Sequence, residues 1–415
     1  MSGRIVGLLL VHAALVHFNR ISLPVAGSER LMAQFGISEQ VMGAVYSAYL
    51  VAYTILMTPG GWFIDRYGSR RSILIVGIGS AVCVGLTGLA GLSITSGATL
   101  VAVLIGVRLL MGVTNAPFHP SAAQTVSRWI PAPRRAWVNG LVNAAALVGI
   151  SSTFYVFGFL MDRFGWPGAF LLAAVVTGLA TAAWGRCAAD RPSEAPARTV
   201  SKGADDVPPW RKRSLVLLTI SYAAVGYFQY LFFYWMQHYF NTVLGLGKSS
   251  GRLYATIPTI AMAVGMAAGG RLTDWAQSRW GGRRGRTGVT VIAMTASAAF
   301  LGAGIVCREP AWIVTCFSLA LAFLGACEGA FWTTAIDLGG RQGGLSAAIV
   351  NTGGNAGGAL APYLTPLISH HFGWPAGIGV ACVVCFLGAV NWLWIDPDEG
   401  RPSEPIEAAP AKAPA

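Results

Sequence analysis

About twelve stretches of this chain, each near 20 residues long, run almost free of charge: roughly 4–25, 41–63, 72–92, 99–121, 136–161, 167–185, 214–240, 253–271, 288–306, 311–336, 344–368 and 374–395. A run of that length crosses the hydrocarbon of a bilayer as a helix. Lipid offers no partners for backbone N–H and C=O groups, so spanning segments must be helices or a closed barrel, and these lengths select helices. With 54% hydrophobic and 11% charged residues, against roughly a quarter charged in soluble domains, the sequence predicts an all-α membrane protein of twelve transmembrane helices. The one long polar interruption, RPSEAPARTVSKGADDVPPWRKR, reads as a linker. Residues 1–186 are therefore expected as a six-helix bundle, 187–213 as a cytoplasmic linker, 214–396 as a second six-helix bundle and 397–415 as a disordered tail.

A net charge of +12 suggests nucleic acid as a partner, but its distribution excludes that. With Met1 placed inside, inward loops and tails hold 22 of the 29 basic residues, while outward loops hold five: Arg30, Arg163, Lys248, Arg252 and Arg308. The asymmetry follows the positive-inside rule and puts both termini in the cytoplasm of a multi-pass protein of the cell inner membrane, expected to work as a monomer in the lipid bilayer. The start resembles a signal peptide, but His12, His17, Asn19 and Arg20 interrupt its apolar run, so it is read as the first helix. Seven cysteines suggest no disulfide framework; Cys382 and Cys385 form a C-x-x-C without partner ligands, so neither metal nor cofactor is expected.

The two halves echo each other. GGWFIDRYGSRRSIL, from Gly60, reads as a loop between two spans, and GGRLTDWAQSRWGGRRGR, from Gly269, matches Gly60, Gly61 and Asp65 with Gly269, Gly270 and Asp274 at an offset of 209. Asn139 and Asn143 in the fifth span correspond to Asn351 and Asn355 in the eleventh, at an offset of 212. Residues four apart share a helix face. Each pair either holds helices together beside glycines such as those of GGNAGG or faces a wet cavity where the repeats meet.

Charges inside the membrane cost a few kcal/mol and usually have a function. Arg20, Arg108 and Glu328 are the clear ones, so a cavity holding all three is positive and suits an anion; Arg is also the residue for bidentate capture of a carboxylate. Snorkelling is the alternative for Arg20, a structural pairing for Arg108 and for Glu328. The seventh span, YAAVGYFQYLFFYWMQHYF, carries Tyr227, Tyr230 and Tyr234 along one stripe, suited to a polyhydroxylated or aromatic anion. Trp235 and Tyr239 are read as packing or an outer interfacial belt. No nucleophile with its base, nor paired metal ligands, points to an enzyme.

The GGWFIDRYGSRR loop resembles the signature of the major facilitator superfamily. HFNRISLPVA, SAYLVAYTILMTPGGWFIDRYG, RLLMGVTNAPFHPSAAQTVSRWIP and NTGGNAGGALAP together resemble its anion:cation symporter family, which includes bacterial hexuronate and sugar-acid transporters, sialin and the vesicular glutamate transporters. The resemblance implies two pseudo-symmetric six-helix halves, alternating access, Arg20 on a substrate carboxylate and Tyr53 lining the same cavity. It also implies gating by Gly61, Asp65, Arg66 and the weaker copy at Asp274, in contacts made only when the cytoplasmic side is closed. Asp337 is assigned to gating or capping at the cytoplasmic mouth.

This chain has Asn19 and Asn115 where the family commonly has carboxylates associated with proton coupling. Glu328 is the one well-buried carboxylate left for that role, and His12, His17 and His119 are further candidates, His119 foremost because it lies between Pro117 and Pro120. The sequence thus leads to a secondary transporter of a small organic anion, a sugar acid or other carboxylate. Arg20, Tyr53, Arg108, Tyr227, Tyr230, Tyr234, Asn351 and Asn355 are expected at the substrate. Protons, sodium, exchange and facilitated diffusion all stay open as the energy source. The competing function is efflux of hydrophobic compounds, disfavoured because the fifth helix lacks the Gly-Pro pattern of superfamily drug antiporters.

Overall fold

The computed structural model describes residues 2–188, 212–339, 342–397 and 399; the side chains of Ser2, Thr58, Gly61, Asp65, Ala132, Pro133 and Ala136 also fall outside the description. The described chain is helical throughout: α1 Ser2–Ala26, α2 Glu39–Ser93, α3 Gly97–Asn115, α4 Phe118–Trp129, α5 Ala132–Ser152, α6 Gly158–Cys187, α7 Arg213–His238, α8 Gly247–Trp280, α9 Gly282–Val306, α10 Pro310–Gly339, α11 Gly343–Phe372 and α12 Trp374–Asn391. Ten segments are long and apolar enough to cross a membrane, the longest of them, Trp137–Cys187, at 51 residues. That one breaks at Gly165 (φ 70°), giving two crossings. α11, with 30 residues, is long enough for another, and its interior glycines and asparagines are what keep it below the apolar threshold. Twelve crossings fit this arrangement. Large apolar side chains such as Ile55, Leu92, Phe159, Leu179, Val264 and Ile292 face outward, as a lipid-facing belt requires.

The region from Gly60 to Leu74, expected as a loop, is helical instead. α2 runs through it and turns only at Gly68, whose φ of 81° suits glycine alone. A single left-handed residue reverses the chain, so two expected spans merge into one element. The linker expected at 187–213 lies mostly outside the described residues. Of the expected tail, Glu399 is described: its carboxylate accepts from the backbone N–H of Ser214 (2.7 Å) and Arg213 (3.2 Å), capping the start of α7.

Close helix contacts rest on small residues. A Cβ on Gly226 of α7 would collide with the carbonyl of Gly354 in α11, so these two helices touch backbone to backbone. The GGNAGG segment therefore serves packing on one face. On the face away from Ser2, three wide helical turns, Gly27–Leu31, Thr153–Phe157 and Tyr239–Val243, extend α1, α5 and α7. Extra width of this kind is common at functional sites.

Candidate functional site

A cavity of about 160 Å³ opens between the helices that precede residue 188 and those that follow residue 212. A single water needs roughly 10–15 Å³ on this measure, so the space suits a small molecule. One wall is basic: His17 and Arg20 from α1, Tyr53 from α2 and His119 from α4. The other is formed by Tyr222, Gln229 and Tyr230 from α7, Glu328 and Trp332 from α10, and Asn351 and Asn355 from α11.

Arg20 is buried among tyrosines. Its guanidinium lies 4.5 Å from the ring centre of Tyr230, 5.0 Å from Tyr49 and 5.6 Å from Tyr53, and its Nε donates to the Tyr234 hydroxyl at 3.4 Å. Its Nη2, fully shielded, has no hydrogen-bond partner. Rings hold a cation by their quadrupole without neutralising it. Among the described residues no carboxylate pairs with Arg20, so its charge and a fork of donors remain for a ligand. This places it inside the protein and removes the snorkelling alternative.

Arg108 does not line the cavity. It sits behind Arg20 on α3 and donates to the Arg20 carbonyl at 3.2 Å, bracing the backbone of α1. Of the tyrosine stripe only Tyr230 reaches the cavity wall; Tyr234 lies behind Arg20, its ring tilted against Tyr46 at 5.5 Å, and Tyr227 is buried elsewhere. The stripe fails because α7 is buried on nearly every side, and only a narrow sector faces the cavity. Trp235 and Tyr239 are both buried, which removes the interfacial-belt alternative; Trp235 donates to the Pro362 carbonyl at 3.0 Å.

Asn355 donates to Asn351 Oδ1 at 3.2 Å and to its carbonyl at 2.9 Å, and accepts from the Tyr230 hydroxyl at 3.0 Å. The pair thus sits at the cavity and also ties α11 to α7. Asn19 and Asn115 are engaged elsewhere: Asn19 donates to Thr177 at 2.9 Å, while Asn115 accepts from Ser80 at 2.8 Å and donates to Tyr49 at 3.5 Å. Neither lines the cavity. His17 and His119 meet edge to face with ring centres 5.3 Å apart, and His17 Nδ1 lies 2.9 Å from the Ala13 carbonyl, which makes that nitrogen the donor. His12 contacts Trp184 away from the cavity.

The sequence reading missed a charged clamp on the face away from Ser2. Glu29, whose side chain is wholly buried, accepts from Arg252 Nε at 2.8 Å, Arg252 Nη2 at 2.6 Å and Gln237 Nε2 at 2.6 Å. Arg252 also reaches Asp162 at 2.6 Å, which binds Arg30 at 2.9 Å. His238 meets Glu39 at 2.7 Å. Between clamp and cavity, the rings of Tyr46, Tyr234 and Trp235 form a layer, and Ser47 donates to the Ala359 carbonyl at 2.8 Å. Hydrogen bonds that join the two sets of helices, among the described residues, gather at this face or at the cavity.

On the opposite face, no such link joins the two sets of helices at the described gating residues, Arg66 and Asp274. Arg66 is exposed and lies over Trp62 and Tyr67, Asp274 is exposed, and the side chains of Gly61 and Asp65 lie outside the described residues. Asp337 pairs with Arg286 at 2.6 Å, both in the later helices. The seven cysteines are all free.

The sequence model of the Major Facilitator Superfamily matches residues 9–347 and 338–415. A protein of Cupriavidus necator described as "Probable sulfoacetate transporter" is 23% identical over 410 residues, covering 95% of this chain and 93% of its own. The "D-galactonate transporter" of Escherichia coli O6:H1 is 24% identical over 426 residues, covering 95% of each. Among solved structures, a bacterial homologue of the human lysosomal transporter Spinster, crystallised in an inward-facing, unoccupied conformation, superposes with a TM-score of 0.76 at 16% identity, over 94% of this chain and 96% of that one.

Proposed function

The chain belongs to the major facilitator superfamily, and from that premise we propose that it is a secondary transporter that moves a small organic anion across the cytoplasmic membrane by alternating access. The observation that carries the reading is Arg20, a buried cation that lines the cavity, keeps one donor unpartnered and has no carboxylate among the described residues to neutralise it. Arg is suited to grip a carboxylate or sulfonate with two parallel bonds. Relatives named for sulfoacetate and D-galactonate handle anions of this chemistry. Asn351, Asn355 and Tyr230 on the opposite wall supply polar contacts to the remainder of the molecule.

Both termini lie in the cytoplasm in this reading, as the basic loops favour, and the protein works as a monomer. The clamp at Glu29 and Arg252 then closes the outer face, and the site exchanges with the cytoplasm. Moving to the opposite state requires breaking that clamp. Asn19 and Asn115 cannot exchange a proton, and their amides are spent on Thr177, Ser80 and Tyr49. Glu328, His17 and His119 remain as candidate proton carriers at the cavity, with sodium coupling, exchange and facilitated diffusion as the other modes.

Uptake into proteoliposomes tests the function. Radiolabelled carboxylates should enter in competition with one another, and Arg20→Ala should abolish entry. Export of lipophilic dyes without any effect of carboxylates would replace this reading with efflux.

A further inference from the structure

The two walls of the cavity offer opposite chemistry. Arg20 contributes donors and positive charge, while Glu328, across from it on α10, contributes a carboxylate, which when ionised only accepts. No ion pair links the two among the described residues. Glu328 is held by one oxygen: its Oε2 accepts from the Tyr222 hydroxyl at 2.9 Å and from Trp332 Nε1 at 3.2 Å. These two bonds and the aromatic rings carrying them fix the carboxylate's orientation. Among the described residues no donor reaches Oε1, and Glu328 lines the cavity, so that oxygen is left for whatever enters.

Three neighbouring donors are turned elsewhere. Tyr230 gives its hydroxyl proton to Asn355, Asn355 gives its amide to Asn351, and Gln229 lies against Met262. None of these three donors reaches Oε1, which leaves that oxygen open to the cavity.

We propose that Glu328 selects the far end of the substrate, so that the transported molecule is a carboxylate bearing a distal hydrogen-bond donor, a hydroxyl or an ammonium group, held between Arg20 and Glu328. The inference deepens the anion reading above and rests on it: the carboxylate end lies on Arg20, the donor end on Oε1. A plain aliphatic acid would leave Oε1 desolvated and unpaired, and sites built to bond a polar group discriminate strongly against analogues that lack it.

Calorimetry on the full-length protein in lipid nanodiscs separates the possibilities. The ligands are butanoate, 4-hydroxybutanoate and 4-aminobutanoate, with the corresponding six-carbon series. In the wild type, the hydroxy or the amino acid of one series should bind at least roughly tenfold more tightly than its unsubstituted counterpart, and which of the two gains identifies the donor. Glu328→Leu, which removes the acceptor, should bring the substituted and plain acids to equal affinity. Glu328→Gln, the milder change, should abolish any gain from the ammonium. Equal wild-type affinity for substituted and plain acids, or discrimination that survives both variants, overturns the role of Glu328 while leaving the anion reading intact. Binding of none of these acids overturns this inference; binding unchanged by Arg20→Ala overturns the anion reading and this inference with it.

Discussion

Glu29→Gln should release the clamped face, the outer one in the orientation proposed above. The wild-type carboxylate is wholly buried and accepts three bonds, two from Arg252 and one from Gln237, all between 2.6 and 2.8 Å. The amide keeps a single acceptor oxygen and no charge, so Arg252 retains only Asp162 as an ionic partner, at 2.6 Å and with its own side chain 44% exposed. Removing one partner of a buried pair costs about 3–5 kcal/mol. The surviving Asp162 contact puts the expected loss at the lower end, about 3 kcal/mol. Glu29 and Asp162 belong to the helices before residue 188, and Arg252 and Gln237 to those after residue 212. The loss therefore falls on the closed arrangement and shifts the balance toward opening of the clamped face by roughly 100-fold, at about 1.4 kcal/mol per decade. Spin labels at Arg163→Cys and Thr242→Cys, in a background lacking the native cysteines, report the distance across this face. Glu29→Gln should add a longer-distance population that the parent protein lacks. An unchanged distance distribution in a folded variant would refute the clamp as a determinant of the closed state.

Three further outcomes follow from the packing and the bonds at the site. Gly226→Val should lower the melting temperature by several degrees, because the new side chain meets the Gly354 carbonyl and overpacking costs about 1–3 kcal/mol; differential scanning fluorimetry checks it. Tyr230→Phe keeps the ring over Arg20 but loses the bond to Asn355, so anion affinity should fall by at most about tenfold by calorimetry. Asn115→Asp places a carboxylate within reach of the Ser80 and Tyr49 hydroxyls; uptake in proteoliposomes should become more dependent on pH than in the parent.

The apolar spans were legible in the sequence, and Arg20 stood out in it as a cation inside one of them, because both rest on local signals: unbroken apolar length and a costly charge inside an apolar run. The clamp was not. Glu29, Asp162 and Arg252 each sit at the end of an apolar run, where a charge is unremarkable and reads only as topology, and Glu29 and Arg252 are 223 positions apart. Helical spacing placed Tyr227, Tyr230 and Tyr234 on one stripe but could not say how wide a sector of α7 the cavity occupies. The roles of Arg108, Asn19 and Asn115 depend on which neighbour each side chain finds, and residue type alone does not encode that. Gly68 shows the opposite limit: the polar stretch looked like a loop, yet one glycine suffices to turn the chain, and the rest stays helical.

The central claim is that Arg20 holds an organic anion. Thermal-shift measurements on purified wild type and Arg20→Ala, across sugar acids, simple carboxylates, sulfonates, inorganic anions and lipophilic cations, test it most directly, since a ligand that binds only the folded state raises the melting temperature by mass action. At least one organic anion should stabilise the wild type and fail to stabilise Arg20→Ala, with lipophilic cations inert on both. Stabilisation of both proteins by lipophilic cations, with organic anions inert, would contradict it.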